Sequence, residues 1–441
     1  MDHPNQRPHL SRRDFIRRAA AAGIALPSMS AILAACGKGA QSTVSGGSTG
    51  GAGADTGQFG TGGISGAAYP LARLDSPVTW KVQSDNTVID SNLPPETGAT
   101  LQIITWAYYI DPGLIAAFEK KYNCKIQKTI FSDMDKGLEK LNSGQGQYDV
   151  MLGMNVWGLG RQIAAGHILP LNHDYIPNLD ANVWASLKDP FYDRGSQFSV
   201  PYSVWSTGIF WRNDMLKIDP AGMSNPYDVF WNNPPKGKTH LLSNAQDVLA
   251  LAMFHDGLAD VNVTDPAIIS KAKDEIAQIA TAAGGVKYDH IDYTDVPAGD
   301  AYLHQSWSGN ASDAVVFLAD KSKADVLSYY WPAADGHPGN VDNDLIVLLS
   351  GGQNPVLSHL FTDFLLDQKN VMANFTNMTG YQMPNVGMTQ ASMVTSGIMP
   401  DHLKTVIVTE EDFTKGSREL ELPTAADALW QQAFQELQAG V

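Results

Sequence analysis

Between residues 100 and 152 the chain alternates two periodicities, and this pattern restricts the fold more than any other feature. Thr100-Leu101-Gln102-Ile103-Ile104-Thr105-Trp106 is a β-rich run, followed by an Asp111-Pro112-Gly113 turn. Residues 114–122 then carry apolar side chains at helical spacing. Residues 125–130 read as a second strand, 136–141 as a second helix and 148–152 as a third strand. Strand, helix, strand, helix, strand predicts a parallel sheet, because a parallel neighbour is reached only through a long crossover. In such a sheet ligands sit beyond the carboxyl ends of the strands, here near Trp106 and near 153–157. A further β-rich run over 199–209, interrupted by Pro201, is suited to carry the chain from one lobe to another.

The segment from 37 to about 67 is built from Gly, Ser, Thr and Ala with almost no large apolar residue, so burial cannot offset its ordering entropy. Residues 36–68 are therefore expected to be a tether, and the Pro/Asp/Asn-rich stretch 69–97 an extended segment lying on the globular body. What remains exceeds the size at which one core keeps growing, so two lobes are expected. The chain has two cysteines, Cys36 and Cys124. Cys124 reads as a buried small hydrophobe, and a cysteine-built zinc site is excluded. Formal net charge is −16, and residues 1–35 contribute five Arg against two Asp, so the rest is more acidic still. Such a surface is a poor partner for nucleic acid or anionic membranes.

Ser11-Arg12-Arg13-Asp14-Phe15-Ile16-Arg17 leads into an apolar stretch ending at Leu33-Ala34-Ala35-Cys36. The first motif resembles a twin-arginine export signal and the second a lipoprotein cleavage site. The apolar run, roughly 15 residues, is shorter than the about 20 a spanning helix needs. The expectation is a removed signal over 1–35 and a lipidated Cys36 that anchors an exported protein to the membrane, at the cell surface or the periplasmic face.

Several motifs follow in order: Thr105-Trp106-Ala107-Tyr108-Tyr109-Ile110-Asp111-Pro112-Gly113-Leu114, Gln147-Tyr148-Asp149-Val150, Val200-Pro201-Tyr202, Asn244-Ala245-Gln246-Asp247-Val248, Ser306-Trp307-Ser308-Gly309, Trp331-Pro332 and Gly380-Tyr381-Gln382-Met383-Pro384-Asn385. Over about 100–440 the chain thereby resembles the spermidine/putrescine-type solute-binding proteins of ABC importers. The resemblance implies an α/β, two-lobed periplasmic-binding-protein fold, type II-like, with a hinge and the ligand cleft between lobes. Lobe 1 is expected over 98–204 plus 343–389 and lobe 2 over 205–342 plus 390–441. It also implies a monomer that passes a polyamine or other small cation to permease subunits, with no cofactor and no catalysis.

A polyamine requires carboxylates at its nitrogens and aromatic faces along its methylenes. The resemblance places the cleft aromatics at Trp106, Tyr109, Trp307 and Tyr381 and the acids at Asp247 and Asp344. Five positions depart from the family pattern. Tyr108 replaces an acid, Asn244 keeps only the oxygen of another, and Asp342 stands where the family has tryptophan. Met154 and Val156 occupy the family's serine and tyrosine places, leaving Asn155 and Trp157 as substitutes. A last contact falls within 419–422. Ser243 or Asn244 also reads as a helix N-cap and Asp247 as its N3 residue, so both have a purely structural use.

Within the same fold, another amine, a sugar, ferric iron or an anion is the alternative solute. Tyr329-Tyr330 is similar to the phenolate pair of ferric-binding relatives, whereas Asp247 and Asp344 oppose an anion. No His/carboxylate set is spaced along the chain for a metal, and His167, His173 and His240 read as isolated surface or capping residues. There is no Gly-x-Ser-x-Gly elbow, His-Glu-x-x-His or Walker loop, and Glu410-Glu411-Asp412 reads as a solvated acidic run. A purely structural lipoprotein would show no ligand-induced closure.

Overall fold

The computed structural model describes residues 59–61, 68–131, 134–143 and 147–440. The signal segment, Cys36 and most of the tether lie outside the described residues. The expected tether does contain structure at its end: β1 (Phe59–Thr61) pairs antiparallel with β2 (Ala68–Pro70).

The remaining strands are β3 (Thr100–Trp106), β4 (Lys125–Phe131), β5 (Val150–Asn155), β6 (Ser199–Arg212), β7 (Thr239–Leu241), β8 (Lys287–Tyr288), β9 (Leu303–Trp307), β10 (Leu327–Tyr330) and β11 (Asn340–Leu348). Among the described residues they form one sheet in the order β4-β3-β5-β11-β6-β9-β7-β8, with β10 on β6. β3 is parallel to both β4 and β5, as the alternating pattern predicts, and the helices Pro112–Tyr122 and Met134–Asn142 make the crossovers. Asp111 caps the first helix by accepting from the Gly113 N–H, and Pro112 begins it. The third strand starts two residues later than expected because Asp149 serves as a knot: its carboxylate accepts from the backbone of Gln102, Gln353 and Asn354.

β6 and β11 are the long elements, and both are buried along their length. Their first and last halves belong to different ends of the sheet. β11 pairs with β5 through Asp344–Leu348, while the far half of β6 carries β9 and β10. One end is covered by the cluster around Leu101, Phe118, Phe361 and Leu365; the other rests on the helices Ala245–His255, Pro266–Ala283 and Thr424–Ala439, which bury Val248, Ile276 and Trp430. The N-terminal segment runs extended across the first end and buries Tyr69, Leu71, Val78 and Trp80 against β5 and the helix Val156–Ala164. Cys124 is buried. No helix among the described residues is long and apolar enough to cross a membrane.

Candidate functional site

The centre of the sheet is irregular around one residue. β11 pairs antiparallel with β5 and β6, and the register slips by one on each side, beside Asp344 on the β6 side and one residue further on, after Leu345, on the β5 side. Asp344 faces Ser203 on β6, after which the ladder skips Tyr202, next to Pro201; it faces Asn155 on β5, where Leu345 still pairs with Met154 before the ladder skips Gly153. A bulge bends a strand and re-aims its side chains, and proline in a central strand is tolerated where the ladder is already broken. Asp344 thus borders the bulge in β6 directly.

Around Asp344 the sequence-predicted residues do converge. The Tyr109 hydroxyl donates to its Oδ2 and lies 2.5 Å from Ser203 Oγ, and Asn155 Nδ2 donates to Oδ1 at 3.1 Å. Asn155 occupies the N-cap of the helix Val156–Ala164 but makes no side-chain cap bond, its amide being committed to Asp344. Burial pushes the Asp344 carboxyl up to about 7, with the charge of Asp342 adding to the shift and the Tyr109 and Ser203 hydrogen bonds opposing it. Trp106 donates from Nε1 to the Gly153 carbonyl at 2.9 Å and packs on Phe131. Only glycine fits at 153: φ is +87° and a Cβ would lie 2.3 Å from the Trp106 ring and 2.9 Å from that of Tyr109.

A second acid stands four residues along β6, where Thr207 Oγ1 donates to Asp247 Oδ1 at 2.9 Å. Asp247 Oδ2 accepts from Trp307 Nε1 at 3.0 Å and Asn244 Nδ2 at 2.7 Å. Asn244 is also the N-cap of the helix Ala245–His255, accepting from the Asp247 N–H at 2.7 Å. The structural and site uses of these two residues therefore coexist. Burial raises Asp247 as well, and it pushes neighbouring Glu419 well above the carboxylate range, helped by the charges of Asp247 and Asp342.

Tyr381 links the two acids. Its ring lies flat against Gly309, where a Cβ would be 2.6 Å from the ring carbons, and meets Tyr109 edge-on at 6.0 Å. Its hydroxyl donates to Asn310 Oδ1 at 2.8 Å, and Asn310 Nδ2 in turn donates to Asp292 at 2.6 Å. Burial, reinforced by Asp292, Asp344, Asp313 and Asp247, raises the Tyr381 phenol well above its ordinary range. Among the described residues, neither Asp344 nor Asp247 has an ion-pair partner.

Three positions differ from expectation. Asp342 does not offer its carboxylate to the site: Oδ1 accepts from Arg418 Nε and Nη2 at 3.1 and 2.7 Å, and Oδ2 from the Glu419 N–H. The guanidinium is itself enclosed by Phe191, Tyr192 and Phe413. Tyr108 is half-exposed with φ +57°, a left-handed conformation uncommon for an aromatic residue. Trp157 turns away from Asp344 and lies under the Arg161 guanidinium. Met154 and Val156 are buried in the core. Ser203, Thr207, Asp292 and Asn310 join this network without having been expected from the sequence, whereas Glu419 falls in the 419–422 window expected to hold a last contact. The four-residue spacing of Ser203 and Thr207 on one face of a β-rich run was the available signal; Asp292 had none.

The adjacent tyrosines do not form a phenolate pair. Residues next to each other on a strand point to opposite faces. Tyr329 accordingly bonds Ser206, and Tyr330 bonds Asp335 at 2.9 Å.

The family described as bacterial extracellular solute-binding protein matches residues 105–372. The chain belongs to this family. It is 26% identical over 289 residues to the putrescine/cadaverine-binding protein of Pseudomonas aeruginosa, covering 65% of this chain and 79% of that one. The spermidine/putrescine-binding periplasmic protein 1 of Haemophilus influenzae is 25% identical over 289 residues, 65% of this chain and 76% of that one. Among solved structures, a spermidine/putrescine ABC transporter substrate-binding protein of Streptococcus pneumoniae superposes with a TM-score of 0.62 at 19% identity, over 78% of this chain and 99% of that one. A Treponema pallidum lipoprotein superposes with a TM-score of 0.61 at 16% identity, over 76% and 99%. These superpositions establish the two-lobed α/β fold of periplasmic binding proteins for this chain. The long strands β6 and β11 are continuous between the two ends of the sheet.

Proposed function

We propose that this chain captures a polyamine, putrescine or spermidine, between its lobes and delivers it to the permease of an ABC importer. The observation that carries the reading is the pair of buried acids without a cationic partner. Asp344 and Asp247 are anchored through Ser203 and Thr207 to one face of β6, four residues or about 13 Å apart, with Tyr109, Tyr381 and Trp307 beside them. A buried carboxylate is costly unless a charge compensates it. A linear ligand with ammonium groups at its ends supplies both charges while the aromatic rings cover its methylenes. The names of the curated relatives support the same solute class.

Lobe 1 is assigned to 98–204 plus 343–389 and lobe 2 to 205–342 plus 390–441, with β6 and β11 as hinge strands. Export by the twin-arginine route and lipidation at Cys36 would hold the monomer at the membrane beside its permease; the sequence motifs support this. The site binds rather than reacts.

Calorimetry and thermal shift on the chain lacking residues 1–36, against putrescine, spermidine, amino acids, sugars, ferric citrate and phosphonates, tests the reading. A micromolar ligand at millimolar concentration should stabilise the protein by about 4 kcal/mol, and Asp344→Ala should weaken it tenfold or more. Silence toward every polyamine alongside a response to a sugar or an anion would refute the assignment.

A further inference from the structure

Away from the cleft, the far edge of the sheet gathers three side chains that the chain keeps well apart: His240 on β7, Asp289 after β8 and His304 on β9. One nitrogen or oxygen from each lies within 4.8 Å of the others. His304 is fully buried, and its Nδ1 bonds the Gln305 carbonyl, which requires a proton on that nitrogen. Nε2 is thereby left to face Asp289 Oδ1 at 3.3 Å. That contact requires either a second proton on the imidazole or a metal ion between the nitrogen and the carboxylate oxygen. On the other side His240 Nδ1, on a side chain 7% exposed, faces Asp289 Oδ2 at 3.2 Å, yet neither atom makes an aligned hydrogen bond.

We propose that His240, Asp289 and His304 form a site for a divalent transition ion of the zinc class. Bonds of about 2.0 Å in a tetrahedron place neighbouring ligand atoms about 3.3 Å apart, which is the spacing of His304 Nε2 from Asp289 Oδ1, at 3.3 Å, and of His240 Nδ1 from Asp289 Oδ2, at 3.2 Å, the two oxygens of one carboxylate that would share the ion. Two imidazoles and a carboxylate suit zinc, with solvent as the fourth ligand. The second nitrogen of His304 already donates to a carbonyl, the arrangement that orients metal-bound histidines. Lys287 is the competitor. It is half-exposed and lies 3.3 Å from Asp289 Oδ2, but its closer contact is Asp295 at 2.6 Å, so it can release Asp289 without losing its ion pair. Asp292 and Asp295 add negative charge around the ion. The bound ion would brace the 289–292 turn, in which His290 stacks on Trp307 at 5.0 Å and Asp292 holds Ser306 and Asn310.

The test is a cobalt titration of the purified full chain after chelator treatment. One Co²⁺ per chain with the intense visible absorption of four-coordinate cobalt is expected, displaced by Zn²⁺, which raises Tm. His240→Gln and His304→Gln should each weaken binding about tenfold or more. Because His304→Gln empties a fully buried position, His240→Gln with an unchanged circular dichroism spectrum is the deciding variant. Lys287→Met should tighten binding several-fold, since it removes the competing ammonium. Absence of stoichiometric cobalt absorption, or binding that survives His240→Gln and is lost with Glu275→Gln in the separate His255/Asp256/Glu275 cluster, overturns the proposal and leaves an ion-pair network bridged by protons and Lys287.

Discussion

Asp342 and Asp344 stand two residues apart on β11, both buried, and the protein treats them in opposite ways. Asp342 is paired within the fold: Arg418 and two backbone N–H groups take up its oxygens. Asp344 receives only hydroxyl and amide donors from Tyr109, Ser203 and Asn155, so its charge is uncompensated and burial raises it to about 7. A buried carboxylate closed by an arginine is neutralised within the fold, and one left without a cation is not. The Asp342 oxygens, which the family resemblance directs to a ligand, are already taken up by Arg418 and the Glu419 N–H.

The largest expected effect breaks the closed half. Arg418→Met strands the Asp342 carboxylate in the interior and should cost about 3–5 kcal/mol in urea denaturation, most of it restored by adding Asp342→Asn. An equal loss in the single and double variants would show that the packing of Arg418 among its aromatic neighbours, rather than its charge, holds this region.

The second test sharpens the open half. Asp344→Asn should weaken polyamine binding tenfold or more in calorimetry while raising the Tm of the unliganded protein at neutral pH. The sign follows from the shift. A carboxyl raised from its ordinary value to about 7 contributes stability below the unfolded value, and that contribution is lost as pH rises toward 7. The wild type should lose it over this window and Asp344→Asn should not. A cation favours the ionised form, so wild-type affinity should be higher at pH 8 than at pH 6, with proton release below pH 7. Affinity independent of pH would place the ammonium elsewhere.

The smallest effect concerns the backbone between the two halves of the Trp106–Tyr109 motif. Tyr108→Gly relieves the left-handed conformation and should raise stability by about 1 kcal/mol. A drop in Tm would mean that contacts of the Tyr108 ring outweigh its strain.

Much of the first half of the sheet was legible because its elements are local. Periods of two and of 3.6 residues identify β3, β4, β5 and their helices from short windows, and Asp111-Pro112-Gly113 marks its own helix start. Asn244 and Asp247 were legible as cap residues for the same reason. The end of the tether was misread: Phe59–Thr61 pairs with a strand that composition does not reveal. His240 was misread more fully, since its burial beside Asp289 and His304 depends on strands far apart in the chain.

By itself, the sequence determined the α/β class, the order of the crossovers and the acidity of the chain. These depend on residue identity and short-range periodicity. The tertiary structure alone decided which acid is satisfied and which is open. That outcome rests on Arg418 arriving 76 residues after Asp342 and on the bulge in β6 beside Asp344. Charge compensation is a property of the neighbours a fold assembles, and no window of sequence contains them.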